Sequence, residues 1–274
     1  MKKAFITGAG GFIGSHLTDA LIQQGWDVTA MIKYHGNSSW GWLEPHRLRP
    51  PANLKVVAGD LTDPFRVREA AAGAEVIFHL GALIAIPYSY LAPAAYVQTN
   101  VLGTLNVAEA ALLWGARKFI HTSTSEVYGT ANYTPIDEKH PLQAQSPYAA
   151  SKIGADKLVE SFALSRGLPA VTVRPFNTFG PRQSARAVIP SIITQALPGG
   201  PVKLGTLEAV RDLTFVTDTV AGFLRAAEAD VAAGQVFNLG TNRGVTIGEL
   251  AKLIFHLLQV NPEIIHDASR VRPA

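Results

Sequence analysis

The chain has no cysteine. That absence excludes thiol nucleophiles, zinc–thiolate centres and a disulfide framework together, and it suits a reducing compartment, so a cytoplasmic protein is expected. No apolar run is long enough to span a bilayer, because the most apolar stretch, Ala82 to Val97, is cut by Pro87 and Pro93. The start Met1-Lys2-Lys3 reads poorly as a secretory leader, since Gly8, Gly10 and Gly11 break it early. Dense runs of one charge are missing as well. Against 24 lysines and arginines stand 21 aspartates and glutamates, a net charge of +3 scattered along the chain. No nucleic-acid partner, membrane partner or metal is therefore expected. Internal repeats and low-complexity tracts are also lacking.

What is present is core material. With 274 residues, 47% of them hydrophobic, the chain can bury a core without staples. At roughly 150 residues per domain, one large or two intimate domains are expected. Strand candidates at Lys3–Thr7, Val28–Lys33, Leu54–Ala58, Val76–Leu80, Lys118–Ser123 and Ala170–Arg174 alternate with helical patterns. The helices fall near Gly14–Gln24, Phe65–Ala72, Ala94–Trp114 and Tyr148–Ser165. Near-continuous apolar strands separated by helices predict a doubly wound parallel α/β sheet. After Arg174 five prolines punctuate shorter elements: a helix near Val188–Leu197, a strand Leu213–Val216, a helix Thr219–Ala229 and a strand Val236–Leu239. The expected division is a larger unit of residues 1–175, to which 212–240 return, and a smaller interleaved one of 176–211 and 241–274. Tyr34–Pro51, with Trp40 and Trp42, is a long aromatic connection that either function or packing would explain.

The run Thr7-Gly8-Ala9-Gly10-Gly11-Phe12-Ile13-Gly14 directly follows the first strand and opens the first helix. Glycines let the backbone turn tightly against a pyrophosphate, and a helix N-terminus offers free N–H donors and a positive dipole. Asp60, in Gly59-Asp60-Leu61-Thr62-Asp63 past the third strand, is either an acceptor for an adenine amino group or a turn former. Ser123-Thr124-Ser125-Glu126 ends the fifth strand, and Tyr148-Ala149-Ala150-Ser151-Lys152 opens the next helix. Tyrosine and lysine four apart share one helical face, and an ammonium beside a phenol favours the phenolate. With the glycine loop, this combination predicts a hydride-transfer site.

In these motifs the chain resembles the extended short-chain dehydrogenases/reductases, the nucleotide-sugar dehydratase and epimerase group, a Rossmann-type fold. The likeness extends through His79-Leu80-Gly81-Ala82, Asn100, Arg174-Pro175-Phe176-Asn177, Gly180-Pro181-Arg182-Gln183 and Arg211-Asp212. It implies NAD or NADP held first by Gly8, Gly11, Phe12, Ile13, Gly14 and Lys33. Asp60, Leu61, Leu80, Ala82, Asn100 and Ser123 would add to that site, with Tyr148 and Lys152. It implies catalysis by Thr124, Ser125, Glu126, Tyr148 and Lys152, and substrate contacts from Ser89, Asn177, Arg182 and Arg211. The smaller unit becomes a substrate-binding cap. Relatives of this kind continue beyond Ala274, so the cap is expected to be incomplete at its C-terminal end. A homodimer through the Ala94–Trp114 and Tyr148 helices is implied too.

Glu126 separates the reactions within the group. The 4,6-dehydratases carry glutamate here, as the base for a C5 proton that C4 oxidation makes acidic, and epimerases carry a small or hydroxyl residue. Ser125 stands where dehydratases of deoxythymidine-linked glucose have an aspartate acid, and Thr-Ser-Glu resembles the GDP-mannose dehydratases instead. Asn37–Leu43, Ala82–Tyr90 and Arg182–Ala187 look like the legionaminic-acid-pathway dehydratases, which act on UDP- or GDP-linked N-acetylglucosamine. The expectation is a 4,6-dehydratase; a 4-epimerase, a non-catalytic dinucleotide sensor and a reductase are the alternatives. Met31-Ile32-Lys33-Tyr34 supplies no acid for ribose hydroxyls, and Lys33 would suit a 2′-phosphate, so NAD and NADP both stay open.

Overall fold

The computed structural model describes residues 2–268; residues 269–274 of the predicted cap lie outside the described residues. The described chain divides into two compact units, residues 2–175 with 217–239, and residues 176–216 with 240–268.

The larger unit begins with β1 (Lys3–Thr7), buried after Lys3, and α1 (Phe12–Gln23), which turns Leu17 and Leu21 inward. A 3-10 turn (Gly41–Leu43) and α2 (Glu44–Leu48) lie between β2 (Asp27–Lys33) and β3 (Leu54–Gly59). α3 (Pro64–Ala70) starts as its sequence implies, with Asp63 accepting from the N–H groups of Phe65 and Arg66 and proline at the first helical position. β4 (Val76–His79) leads into α4 (Ile86–Leu91), α5 (Pro93–Tyr96), a π-helical stretch (Val97–Leu102) and α6 (Gly103–Leu113). Then come β5 (Lys118–Thr122), a 3-10 turn (Ser125–Tyr128), α7 (Pro147–Arg166) and β6 (Ala170–Pro175).

Past β6 the chain alternates between the units. β7 (Asn177–Phe179), α8 (Val188–Ala196), β8 (Val202–Leu204) and β9 (Val210–Phe215) belong to the smaller one. α9 (Val216–Glu228), from its second residue, and β10 (Gln235–Leu239) return to the larger. β11 (Gly244–Thr246), α10 (Ile247–Leu258) and β12 (Ile264–His266) close the described part of the smaller unit.

Seven parallel strands form the sheet of the larger unit, in the order β10-β6-β5-β4-β1-β2-β3. This is the doubly wound, Rossmann-type α/β sheet that the alternation of strands and helices implies. Strand order reverses at β1: the chain runs outward to β2 and β3, then crosses to β4 on the other side. Ligands of such sheets bind outside the carboxyl ends of the strands at that reversal. Phe5, Ile77 and Phe119 from the strands pack with Val107, Ala111 and Val159 from α6 and α7. The smaller unit has its own core, in which Ile192, Leu204, Ile254 and Phe255 meet, beside a three-stranded sheet β11-β9-β7 and the pair β12-β8.

Several elements differ from expectation, short ones such as α2, α4, β7, β8, β11 and β12 being additions. The helix expected at Ala94–Trp114 is broken by the π-helical stretch, α10 is an addition, and the strand expected at Leu213–Val216 is β9, with Val216 already in α9. Among the described residues no helix is long and apolar enough to cross a membrane.

Candidate active site

At the sheet reversal two loops touch. Gly8 leaves β1 at φ +70°, and a Cβ there would lie 2.8 Å from both N and Cα of Gly81, which follows β4. The other glycines divide their tasks. A Cβ on Gly14 would run into Gly8 O, so this glycine lets helix and loop pack. Gly10 is covered by residues 40–42: its Cβ would lie 2.6 Å from Trp40 O, and Trp42 N–H donates to Gly10 O at 3.0 Å. The long aromatic connection therefore has a packing role against the glycine turn. Gly11 is exposed, and its Cβ would meet only Gly8 O, at 3.2 Å. It caps α1 without a side chain, and Phe12 and Ile13 follow, half-buried.

Asp60 sits past β3 and accepts from Thr62 N at 2.9 Å and Thr62 Oγ1 at 2.8 Å. The backbone bond, the hydroxyl bond and the charge of Lys33 at the end of β2 hold its carboxyl below the ordinary range, against burial. Leu61 packs against Gly81 and Gly103, and its carbonyl accepts from Asn106 Nδ2 at 2.8 Å. Leu80 N–H donates to Thr7 O at 3.3 Å, and Ala82 lies in the loop beyond Gly81.

The second group forms where β5 gives way to a 3-10 turn. Thr124 caps that turn, its Oγ1 accepting from Glu126 N at 3.2 Å, while Val127 and Tyr128 anchor it in the core. Ser146 caps α7 by accepting from Ala149 N at 3.0 Å, with Pro147 next. Tyr148 thus falls in the first helical turn and Lys152 one turn later. Thr124 favours the ionised form of the Tyr148 phenol, and the charge of the Glu126 carboxylate opposes it. Tyr96 packs edge-on against the Tyr148 ring at 6.3 Å, and Lys152 Nζ donates to Thr122 O at 2.7 Å. Ser125 lies in the 3-10 turn, half-buried.

Burial pushes the Tyr148 phenol above its ordinary value; Glu126 and Asp156 add to the rise, and the Thr124 bond opposes it. Burial lowers Lys152 to about 8, against the pull of Asp156. The expectation that Lys152 brings the phenol towards neutrality is therefore corrected for the protein groups alone, because desolvation outweighs the ammonium.

Asn100 sits in the π-helical stretch, a feature frequent at functional sites. Its Oδ1 accepts from Leu83 N at 2.8 Å, and its Nδ2 donates to Leu83 O and to Ser151 Oγ, both at 2.9 Å. Ser151 Oγ in turn donates to Tyr148 O at 2.7 Å. Two other expected residues have their hydroxyl protons engaged. Ser89 Oγ donates to Ile86 O at 2.6 Å, and Ser123 Oγ to Asp156 Oδ2 at 2.8 Å.

Sequence reading missed the buried polar group behind Lys152. Asp156 and Arg174 pair at 2.9 Å, and Arg174 also donates to Tyr128 Oη at 2.9 Å. The available signal was an aspartate on the same helical face as Lys152, flanked by the core residues Ala155 and Val159. In the smaller unit, Asn177 pairs with Leu213, Arg182 adopts a left-handed backbone at φ 69°, and Arg211 Nη1 donates to Val210 O at 2.7 Å. Beside Arg211, Asp212 accepts from Thr241 N at 2.9 Å and Asn242 N at 2.8 Å. Among the described residues no cluster of His, Cys, Asp or Glu is arranged to hold a metal ion.

Residues 5–271 match the family model described as GDP-mannose 4,6 dehydratase. A dTDP-glucose 4,6-dehydratase of Actinoplanes sp. is 32% identical over 260 residues, 92% of this chain and 80% of that one. A UDP-glucose 4-epimerase of Mycolicibacterium smegmatis is 35% identical over 255 residues, 90% of this chain and 80% of that one. Among solved structures, the dTDP-glucose 4,6-dehydratase of Streptomyces venezuelae with NAD bound superposes with a TM-score of 0.88 at 28% identity, covering 98% of this chain and 86% of that one.

Proposed function

The chain belongs to the GDP-mannose 4,6-dehydratase family of nucleotide-sugar dehydratases and epimerases, and from that premise we propose that it is an NAD(P)-dependent nucleotide-sugar 4,6-dehydratase. Its substrate is UDP- or GDP-N-acetylglucosamine, and its product is the 4-keto-6-deoxy sugar nucleotide. The observation that carries this reading is the convergence of Thr124 and Glu126, on the 3-10 turn after β5, with Tyr148 in the first turn of α7, where both act on the phenol.

The residues of the first loop fit a dinucleotide. Gly8 allows the close crossing at Gly81, and the exposed Gly11 leaves the α1 N-terminus open to a pyrophosphate. Phe12, Ile13 and Gly14 continue that cradle; Asp60 and Leu61 take the adenine side, Leu80, Ala82, Asn100 and Ser123 the inner wall. Lys33, in the run Met31-Ile32-Lys33-Tyr34 where β2 ends and which has no acid of its own, admits NAD or NADP. When bound, the dinucleotide would take the hydride from sugar C4 and give it back at C6, leaving the 4-keto group.

The chain's own groups move the protons. Tyr148 takes the O4 proton, Thr124 holds that hydroxyl, and the Lys152 ammonium favours the phenolate that burial opposes. Glu126 removes the C5 proton. Once protonated it returns that proton to the C6 hydroxyl, which leaves as water, since Ser125 is a poor acid. Asn177, Arg182 and Arg211 hold the nucleotide diphosphate, guanidinium groups being suited to bidentate phosphate contact, and Ser89 approaches the sugar.

The enzyme acts as a homodimer in the cytoplasm, and exposed Val97, Leu102, Leu113 and Leu164 on its π-helical stretch, α6 and α7 support a partner face. Mass spectrometry of products from UDP-, GDP- and dTDP-sugars tests the function. A product lighter by one water supports the dehydratase. An isomer of unchanged mass would mean a 4-epimerase, net consumption of reduced dinucleotide a reductase, and cofactor binding without turnover a sensor.

A further inference from the structure

The acid–base reading uses Tyr148 and Lys152 and leaves the polar groups buried behind them without a task. Lys152 is only 3% exposed, and its ammonium donates to the carbonyl of Thr122. A carbonyl dipole does not neutralise a cation, and an ammonium taken out of water needs a counter-charge. One helical turn along α7, on the same face, Asp156 is 5% exposed. Its Oδ1 faces His121 Nε2 at 3.1 Å, and its Oδ2 accepts from Ser123 Oγ at 2.8 Å and Arg174 Nη2 at 2.9 Å. So many donors keep the carboxylate ionised and fixed.

Among the described residues, Asp156 is the charged group that favours the ammonium form of Lys152. From β4 and β5, His79 and His121 stack at 5.8 Å, and burial keeps both imidazoles neutral. From β6, Arg174 is engaged by Asp156 and Tyr128. Glu126, on the 3-10 turn, acts through its charge on Tyr148. Glu138, Lys157 and Glu160 line a cavity of about 190 Å³ whose wall also includes Asp156 and Arg174.

We propose that Asp156 is a positioning residue, the buried counter-charge, braced by Ser123, His121 and Arg174, that keeps Lys152 an ammonium. Its catalytic consequence rests on the proposed function above; the charge of Lys152 itself can be read without any substrate.

The test is an NMR titration of the protein carrying carbon-13-enriched lysine, with the Lys152 signal assigned by its loss in Lys152→Met. Asp156→Asn removes the counter-charge. Asp156→Asn combined with Arg174→Met removes both buried charges, so that no orphaned guanidinium threatens folding. In each, Lys152 should titrate about one to two pH units below the parent, and the alkaline limb of kcat should move down with it. Asp156→Glu should restore most of the shift, and Glu160→Gln, in the cavity wall, should leave Lys152 unmoved. An unshifted Lys152 in a folded Asp156→Asn or double variant would overturn the proposal, whatever the activity. A shifted Lys152 in a parent protein that turns over no nucleotide sugar would uphold the counter-charge and refute the proposed function instead.

Discussion

Asn100 Nδ2 donates to Ser151 Oγ at 2.9 Å, a bond that ties the π-helical stretch to the helix carrying Tyr148 and Lys152. The same amide grips both backbone groups of Leu83 in the loop after β4. Asn100→Ala leaves these buried partners unpaired, at about 1–3 kcal/mol per group. Urea unfolding should show a loss of about 2 kcal/mol or more, and kcat should fall with the disturbed Tyr148 backbone. Unchanged stability would mean that water replaces the amide without cost.

Gly11 is the glycine of the first turn where a side chain fits the fold but not a pyrophosphate. A Cβ there meets only Gly8 O, at 3.2 Å, whereas on Gly8, Gly10 or Gly14 it would come within 2.8 Å of backbone atoms. Gly11→Val should therefore keep the unfolding midpoint close to the parent and lose dinucleotide binding by calorimetry. Binding within a few-fold of the parent would remove the first loop from the cofactor site.

These contrasts show what sequence alone could deliver. The strands of the sheet were legible because each is a short apolar run bounded by turns, and the Ser146-Pro147 start of α7 is a strong local signal. The separate uses of Gly10 and Gly11 were not, because residues 40–42, which cover Gly10, are far from it in sequence. The π-helical stretch was hidden inside a normal helical pattern, since at six residues it is too short to show a period of its own. α10 was readable but unread: Thr246 and Glu249 form a capping box before an apolar face at Ile247, Leu250, Ile254 and Phe255. Asp156 went unread because its partners on β5 and β6, His121 and Arg174, are far from it in sequence.

His79 and His121 should make the fold acid-sensitive. Burial holds both imidazoles below their ordinary value, with the charge of Lys152 adding to the effect on each. The unfolded chain therefore takes up more protons than the native state once the pH drops below about 6.5, so stability is full above that pH and declines beneath it. Two such groups imply a loss of up to about 3 kcal/mol between pH 7.5 and 5.5. Urea unfolding at the two pH values measures it, and a flat profile would contradict the neutral, buried pair.

Light scattering at micromolar concentration should give a dimer. Leu164→Glu and Leu113→Glu place charge on exposed positions of α7 and α6, so they should dissociate the dimer while leaving the monomer folded. A parent protein that is monomeric throughout would reject the partner face.

The most direct measurement is the product of Glu126→Gln. Glutamine keeps the shape of the side chain and removes the base, while Tyr148, Thr124 and Lys152 remain to support oxidation at C4. Positioned acid–base groups contribute roughly 10²–10⁴-fold in rate. Mass spectrometry in deuterated water should show a 4-keto sugar that retains its C6 oxygen and gains no deuterium at C5, with loss of water slowed by that order. A 4-keto-6-deoxy product formed at near the parental rate would contradict Glu126 as the base.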